Sequence, residues 1–211
     1  MKRGQFISVE GIEGVGKSSN IEVLVKHLED AEIEVLTTRE PGGTPVAEDI
    51  RKLLKDRGDE PIPEIAELLM MFAARSLNVC NVILPALEAG KWVICDRFSD
   101  SSRAYQSGGR GLPMQTIDSL AGWVHGDVNP DLVILLDTPV DIGMARISSR
   151  GAPDRIESEK HEFFERVREC YLDLAIREPE RFVVIDANRS LHEVQDDVGL
   201  LIQQLISDNL P

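Results

Sequence analysis

Two apolar runs that each end in an aspartate constrain the fold of this chain more than any other feature. They are WVICD at 92–96 and DLVILLD at 131–137. A strand that is apolar on both faces lies in the interior of a sheet covered by helices. A strand with one solvent-exposed face alternates apolar and polar residues. Such strands are typical of parallel sheets, whose connections are helices. The two runs therefore predict an α/β protein.

Other strand-like runs alternate with helical patterns along the chain. The remaining strands are predicted at FISVE (6–10), EVLTT (34–38) and FVVID (182–186). Helical spacing of apolar residues predicts helices over 17–30, 44–54, 63–88, 113–125, 139–149 and 159–177, with a last helix opened by a Ser190–Glu193 capping box. This alternation predicts one domain over residues 1–211, a five-stranded parallel sheet with helices on both faces. Ligands of such sheets bind beyond the carboxyl ends of the strands.

The charge and cysteine content narrow the class of partners. A net charge of −14 argues against a broad basic face, so no nucleic acid polymer is expected as a partner. An anionic ligand would need a local cationic site. Cys80, Cys95 and Cys170 show no CxxC spacing, which predicts reduced, mostly buried thiols in a cytoplasmic protein. We find no apolar stretch near the roughly 18 residues that span a bilayer, and expect no membrane partner.

The segment GIEGVGKS at 11–18 matches G-x-x-x-x-G-K-[ST] and lies between a predicted strand and a predicted helix. Its glycines allow backbone N–H groups to converge on phosphate oxygens. Lys17 would neutralise the β and γ phosphates, and the Ser18 hydroxyl would ligate Mg²⁺. The segment predicts an NTP-binding loop, which GTPases, ATP-driven motors and small-molecule kinases all carry. The guanine motif N-K-x-D of GTPases is absent from the sequence.

Four other polar segments each allow a functional and an ordinary interpretation. They are TREPGGT (38–44), CDRF (95–98), SSRAYQSGGRG (101–111) and RGAPDR (150–155). Asp96 suits Mg²⁺ or its waters, and Arg97 suits bidentate binding of a phosphate, although the two could equally form a structural pair. Segment 101–111 is either a ligand-binding loop or a surface turn. The arginines of 150–155 either reach a transferring phosphate or lie on a solvated loop.

In their order, these segments together with EDIRKLL, MFAAR and PDLVILLD resemble bacterial thymidylate kinases over nearly the full chain. The resemblance implies the P-loop nucleoside monophosphate kinase fold and phosphorylation of dTMP to dTDP by ATP, in dTTP biosynthesis. It further implies Mg²⁺ as cofactor, a homodimer, and a lid at about 147–157. Two alternatives remain open: a kinase for another nucleoside monophosphate, and a nucleotide-binding module without turnover.

The resemblance also implies roles for individual residues. ATP would contact Gly11, Ile12, Glu13, Gly14, Val15, Gly16, Lys17 and Ser18, with Arg146 stacked on adenine beside the turn at 186–188. The dTMP site would comprise Glu13, Glu40, Arg51, Phe72, Arg75, Arg97, Ser102, Tyr105 and Gln106. Arg51 and Arg97 would hold the phosphate, and Ser102 and Gln106 would read base edges. The Tyr105 ring would exclude a ribose 2′-hydroxyl.

Within that site, Phe72 would stack on thymine and Arg75 would bind its carbonyl. The ordinary alternatives are core packing for Phe72 and a surface charge for Arg75. Ser18 would ligate Mg²⁺, and Asp96 would bind the ion or its waters.

Two subtypes of the family differ in the source of one catalytic arginine. One subtype carries it in the phosphate loop, where this chain has Gly14. The chain therefore resembles the subtype whose arginine comes from the lid, with Arg150 as the first candidate and Arg155 as the second. The implied catalytic residues are Lys17, Asp96, Arg97 and Arg150.

Overall fold

The computed structural model describes residues 3–56, 60–148 and 153–209. Within these ranges, five strands form one parallel sheet in the order β2-β3-β1-β4-β5. The strands are β1 Phe6–Glu10, β2 Val35–Arg39, β3 Trp92–Asp96, β4 Leu132–Asp137 and β5 Phe182–Asp186. This confirms the predicted sheet. The chain fills one side of β1 with β2 and β3 and then crosses to β4 and β5. The end of β1 is therefore the topological switch point, where ligands of such sheets bind.

Helices connect the strands, and their starts follow the capping signals. Their bounds are α1 Lys17–Asp30, α2 Pro45–Lys55, α3 Glu64–Asn78, α4 Leu84–Glu88, α5 Ser99–Ser102, α6 Met114–Val124, α7 Val140–Ser148, α8 His161–Arg177 and α9 Leu191–Asn209. Thr44 caps α2 by accepting a hydrogen bond from the Ala47 N–H at 3.2 Å. Before α9, the Ser190 N–H donates to Glu193 Oε2 at 3.0 Å, as a capping box requires.

The sheet carries apolar side chains on both faces, as the continuous apolar runs predict. Val93 and Cys95 of β3 pack with residues 79–87, whereas the intervening Ile94 packs into a second cluster with α1, α8 and α9. Successive residues of a strand point to opposite faces, so β3 must contribute to two cores. Helices cover both faces of the sheet, which confirms the predicted layering.

The apolar pattern over 63–88 forms two α-helices rather than one. Helices α3 and α4 are joined by a π-helical turn, Val79–Ile83. Pro85 lies in the first turn of α4 and has no N–H to donate to the preceding turn. An unbroken α-helix would need that hydrogen bond, so the helix widens just before the proline.

The same segment passes a length and composition test for membrane spans, so the expectation that no stretch approaches bilayer length was wrong. An 18-residue window within Glu64–Glu88 reaches a mean hydropathy of 1.5. In the fold, however, its side chains Glu67, Arg75 and Asn78 are buried. All three form hydrogen bonds with other elements of the protein. Buried polar side chains with partners inside the protein are typical of helices packed in a folded domain, and 39% of the window is buried.

Segment 101–111 is helical and largely buried, so the surface-turn alternative is wrong. Helix α5 continues into a π-helical turn, Arg103–Gly109, that packs against α8. A Cβ at Gly109 would lie 2.4 Å from the Phe163 ring, and one at Gly108 would lie 2.7 Å from Cys170 Cβ. The glycines therefore permit close packing of the π-helical turn against α8. In the sequence alone, the same glycines suggest a bend.

The three cysteines are free thiols in different environments. Cys95 is buried, Cys170 is half-buried and Cys80 is exposed. The expectation of mostly buried thiols thus holds fully for one residue of the three.

Candidate active site

The loop of residues 11–18 connects β1 to α1 and forms an anion-binding cup. Gly16 has a φ of 88° and caps α1. The first turn of α1 carries no acidic residue. The positive end of the helix is therefore available to a bound anion. Lys17 Nζ donates to the carbonyl oxygens of Gly11 at 3.2 Å and Ile12 at 2.9 Å, so the ammonium group lies over the loop.

Gly14 lies against the helix α7. It has a φ of 76°, and a Cβ at this position would be 2.1 Å from the carbonyl oxygen of Gly143. A side chain here would be strained and would clash with backbone. The structure thus excludes an arginine at position 14, in agreement with the absence of a phosphate-loop arginine.

The charge state of Lys17 leads to a prediction about ATP binding. Burial and the nearby Arg97 lower the pKa of Lys17 to about 8. A bound polyphosphate favours the charged ammonium, so its pKa rises on binding. At pH 8 we expect uptake of about half a proton per ATP bound, and weaker binding as the pH rises further. Calorimetry in two buffers of different ionisation enthalpy measures the uptake; a Lys17→Arg variant should show none. Equal enthalpies in both buffers for the wild-type protein would contradict the prediction.

Arg97 lies between the cup and a second cavity, which is lined by Glu40 and Arg75. Its φ of 70° is unusual for a residue other than glycine, and such strain concentrates at functional sites. Its guanidinium group donates to Gly11 O (2.8 Å), Ser101 Oγ (3.2 Å), Tyr171 Oη (3.2 Å), Glu13 Oε1 (2.9 Å) and Tyr105 Oη (3.0 Å). These contacts hold the cation in one orientation at the rim of the phosphate loop.

A buried carboxylate supports this arrangement from beneath. Glu10, at the end of β1, accepts hydrogen bonds from Phe98 N at 2.7 Å, Ser101 Oγ at 2.6 Å and Tyr171 Oη at 2.8 Å. Burial raises the pKa of Glu10 to about 7. Sequence analysis missed both Glu10 and Tyr171. An acid ending an otherwise apolar strand is a signal for Glu10, whereas Tyr171 reaches the site from α8 with no local signal.

Asp96 and Ser18 fit the oxygen chemistry of Mg²⁺. In the described part of the chain, Asp96 Oδ1 is buried without a hydrogen-bond partner, and both residues line the same cleft. No group of three or more His, Cys, Asp or Glu side chains suited to a metal occurs among the described residues. Mg²⁺ in nucleotide sites takes one or two protein ligands, with phosphates and waters supplying the rest.

An ion pair between Glu40 and Arg75 forms the floor of the neighbouring cavity. Arg75 Nε donates to Glu40 Oε2 at 2.6 Å, and both side chains are 3% exposed. Arg75 also donates to Ser102 Oγ at 3.0 Å. The interpretation of Arg75 as a surface charge is therefore wrong, and Glu40 is buried with it although it lies in a loop.

Phe72 lies behind Arg75 rather than on the open surface of the cavity. Its ring is 2% exposed and packs with Leu68, Ile117 and Ala121. The Arg75 guanidinium carbon is 4.6 Å from the ring centroid. Core packing of Phe72 is therefore observed, and its stacking on thymine stays a prediction.

The cup and the cavity form one cleft of about 310 Å³. This is the size of small-molecule sites. Of the predicted residues, its lining includes Glu13, Gly14, Gly16, Lys17, Ser18, Glu40, Arg51, Arg75, Asp96, Arg97, Ser102, Tyr105 and Gln106. Arg51 is held by a hydrogen bond from Nη1 to the Pro41 carbonyl oxygen at 2.9 Å. The structure thus brings together residues from six separate segments of the sequence.

The other predicted residues lie at the edges of the cleft or elsewhere. Arg146 donates to the carbonyl oxygens of Ala187 at 2.9 Å and Gly14 at 3.5 Å, between the phosphate loop and the turn after β5. Arg155 donates to Leu54 O and to Glu67. Arg150 lies outside the described residues, as do positions 149–152 in general.

The strand order, the phosphate loop at the switch point and the arginine-lined cleft beside it define a phosphotransferase of the P-loop nucleoside monophosphate kinase class. Comparison with known proteins agrees. The model of the family described as Thymidylate kinase matches residues 9–198. The chain belongs to the thymidylate kinase family.

Relatives match nearly the whole chain. It is 51% identical over 203 residues to a thymidylate kinase of Pseudomonas fluorescens (strain Pf0-1), covering 96% of this chain and 97% of the relative. It is 47% identical to one of Nitrosomonas europaea, covering 99% and 96%. The crystal structure of thymidylate kinase from Ehrlichia chaffeensis is 32% identical, with a TM-score of 0.75 over 97% of this chain and 99% of that one.

Proposed function

We propose that this protein phosphorylates dTMP to dTDP with ATP and Mg²⁺, in dTTP biosynthesis. The observation that carries the proposal is the continuity of the phosphate loop with a cavity lined by Glu40, Arg75 and Arg97. A coupled assay with a panel of nucleoside monophosphates tests it, and dTMP should give the highest kcat/KM. A better substrate among the others would favour the alternative kinase. No transfer to any of them would favour a binding module.

The proposed reaction needs placement and charge stabilisation rather than a general base. A phosphate oxygen of dTMP is already a nucleophile at neutral pH. Lys17 and Arg97 bring two polyanions together and stabilise charge on the transferring group. Ser18 and Asp96 would hold Mg²⁺, which would supply further charge neutralisation when bound.

The acceptor is proposed to lie with its base over Arg75 and its phosphate between Arg51 and Arg97. Ser102 and Gln106 bind base edges, and Glu13 faces the sugar. Support comes from the position of these groups in the lining of one cleft. Tyr105 Oη donates to Glu13 Oε2 at 2.7 Å, which places its ring beside the carboxylate assigned to the sugar.

The lid is proposed to span about 147–157 and to supply Arg150 to the transferring phosphate. Arg155 is the weaker candidate because its guanidinium group already binds Leu54 O at 2.8 Å and Glu67 Oε2 at 2.6 Å. Closure over the cleft would exclude water and so suppress hydrolysis of ATP. Arg146 is assigned to adenine on its position between Gly14 and Ala187.

Changes at Tyr105 test the assignment of the sugar site. The Tyr105→Phe variant keeps the ring and should change the preference for deoxyribose little. The Tyr105→Ala variant removes the ring and should admit the ribose form of TMP, because the space for a 2′-hydroxyl opens. The ratio of kcat/KM for the two nucleotides is the measurement. An unchanged ratio in Tyr105→Ala would remove the ring from sugar discrimination.

A cytoplasmic homodimer that binds neither membranes nor nucleic acid polymers is proposed for the assembly. Helices α2 and α3 pack together and expose Val46, Leu53, Ile65 and Leu69. Exposed apolar residues on two helices that pack together support an interface there. The net charge of −14 supports the absence of a polyanionic polymer partner.

A further inference from the structure

Glu67 of α3 is a buried carboxylate that binds three side chains from two other parts of the fold. Its side chain is 1% exposed. Oε1 accepts from Gln106 Nε2 at 2.9 Å and from Arg110 Nε at 3.2 Å. Oε2 accepts from Arg110 Nη2 at 3.1 Å and from Arg155 Nη2 at 2.6 Å. One carboxylate thus holds two guanidinium groups and an amide of the acceptor cavity.

Arg155 belongs to residues 153–160, here called the return segment, which leads into α8. The segment docks on the end of α2 through Arg155 N to Lys55 O at 3.2 Å and Arg155 Nε to Leu54 O at 2.8 Å. A Lys55–Asp154 ion pair at 2.8 Å adds to the contact. Asp154, Ile156 and Glu157 of the return segment line the cleft beside Leu54 and Lys55. Its position therefore shapes the cleft wall.

The charge of Glu67 is essential to this arrangement. Burial opposes its ionisation, but the hydrogen bonds and charge of Arg110 outweigh burial and keep the pKa of Glu67 below its ordinary value. Removing that charge would leave two guanidinium groups facing each other, with no carboxylate between them. Arg110 retains a second partner, Glu159 at 2.5 Å. Within residues 3–56, 60–148 and 153–209, the Arg155 guanidinium group otherwise binds only the Leu54 carbonyl oxygen.

We propose that Glu67 is a positioning residue that couples the return segment to acceptor binding. It holds Arg155, and with it the cleft wall at 154–157, while it fixes the amide plane of Gln106. Glu67 touches neither substrate in this assignment, and acts through the residues that do. The kinetic part of this inference rests on the proposed function.

A double-mutant cycle between Glu67→Gln and Arg155→Ala tests the coupling. Each single change should raise the KM for dTMP by roughly tenfold, the effect of losing one charge-assisted hydrogen bond, with a smaller change in kcat. The double variant should be no worse than the more severe single variant, because both remove the same contact. Additive losses would overturn the proposal. So would a fall in kcat at unchanged KM in Arg155→Ala, which would place Arg155 at the transferring phosphate.

Glu159→Gln is the matched control. Glu159 belongs to the return segment but does not line the cleft. Its change removes the outer partner of Arg110 and leaves Glu67, Gln106 and Arg155 in place, so the KM for dTMP should stay within about twofold. A tenfold rise in this variant would show that any charge lost near Arg110 has the effect, and would overturn the specific role of Glu67.

Hydrogen exchange gives a second readout that does not depend on activity. Amides of the return segment should exchange faster in Glu67→Gln and Arg155→Ala, while amides of β1 and β3 keep their wild-type rates. Unchanged exchange at 153–160 would overturn the proposal even if KM rises. If Glu67→Gln fails to fold, Arg155→Ala alone decides by the same measurement. If the wild-type protein does not turn over dTMP, the proposed function is contradicted. The positioning role of Glu67 is then decided by the hydrogen-exchange measurement alone.

Discussion

Replacing Lys17 with alanine is expected to lower kcat by at least two orders of magnitude, while the Kd for dTMP changes by less than about fivefold. A preorganised donor at a transition-state charge is typically worth roughly 10²–10³ in rate. Lys17 lies over the phosphate loop, bonded to Gly11 and Ile12, whereas the acceptor cavity is lined by Glu40 and Arg75. In the proposed assignment, the ammonium group binds the donor phosphates, so its loss should leave dTMP binding largely intact.

The measurement is a steady-state assay combined with calorimetric titration of dTMP. Lys26→Ala is the matched control, because it removes one lysine from the same helix at an exposed position. It should leave both quantities near wild type. Loss of dTMP binding in Lys17→Ala, or a near-normal kcat, would contradict the division of the cleft into donor and acceptor sides.

Replacing Arg75 with methionine is expected to destabilise the fold by about 3–5 kcal/mol and to abolish selective binding of dTMP. The change leaves Glu40 buried without its cation, and breaking a buried ion pair costs about this much. Burial already raises the pKa of Glu40 in the presence of Arg75 and Asn78. The guanidinium group also donates to Ser102 Oγ, so its loss removes one group of the proposed dTMP site and releases a second, Ser102.

Denaturant unfolding and dTMP titration separate the two effects. The double variant Arg75→Met/Glu40→Gln should recover most of the lost stability, because no uncompensated charge remains, but it should not recover dTMP binding. Arg39→Met breaks the neighbouring Arg39–Glu48 pair, whose side chains are 52% and 31% exposed. It should cost less than about 1 kcal/mol. Recovery of selective dTMP binding in the double variant would remove Arg75 from base recognition.

Local patterns predicted the strands well because each strand core is a continuous run of neighbours. Bounds such as Phe6–Glu10 and Trp92–Asp96 agree with the apolar runs, and the caps at Thr44 and Ser190 agree with their side-chain chemistry. Two features were missed: the interruption of the helix at 79–83 and the buried helix over 99–109. Both depend on a packing partner or a missing donor several residues away, which a periodicity count does not register.

The amino-acid sequence by itself determined the order of the elements, the parallel sheet and the phosphate loop, since backbone freedom at the glycines and apolar burial act within a few residues. Only the tertiary structure decided that Tyr171 and Glu10 support Arg97, that Glu40 pairs with Arg75, and that Glu67 binds Arg155. These partners are far apart in the chain. Burial forces each charge or hydroxyl to find whichever partner the fold brings within hydrogen-bonding distance, and no local pattern records that choice.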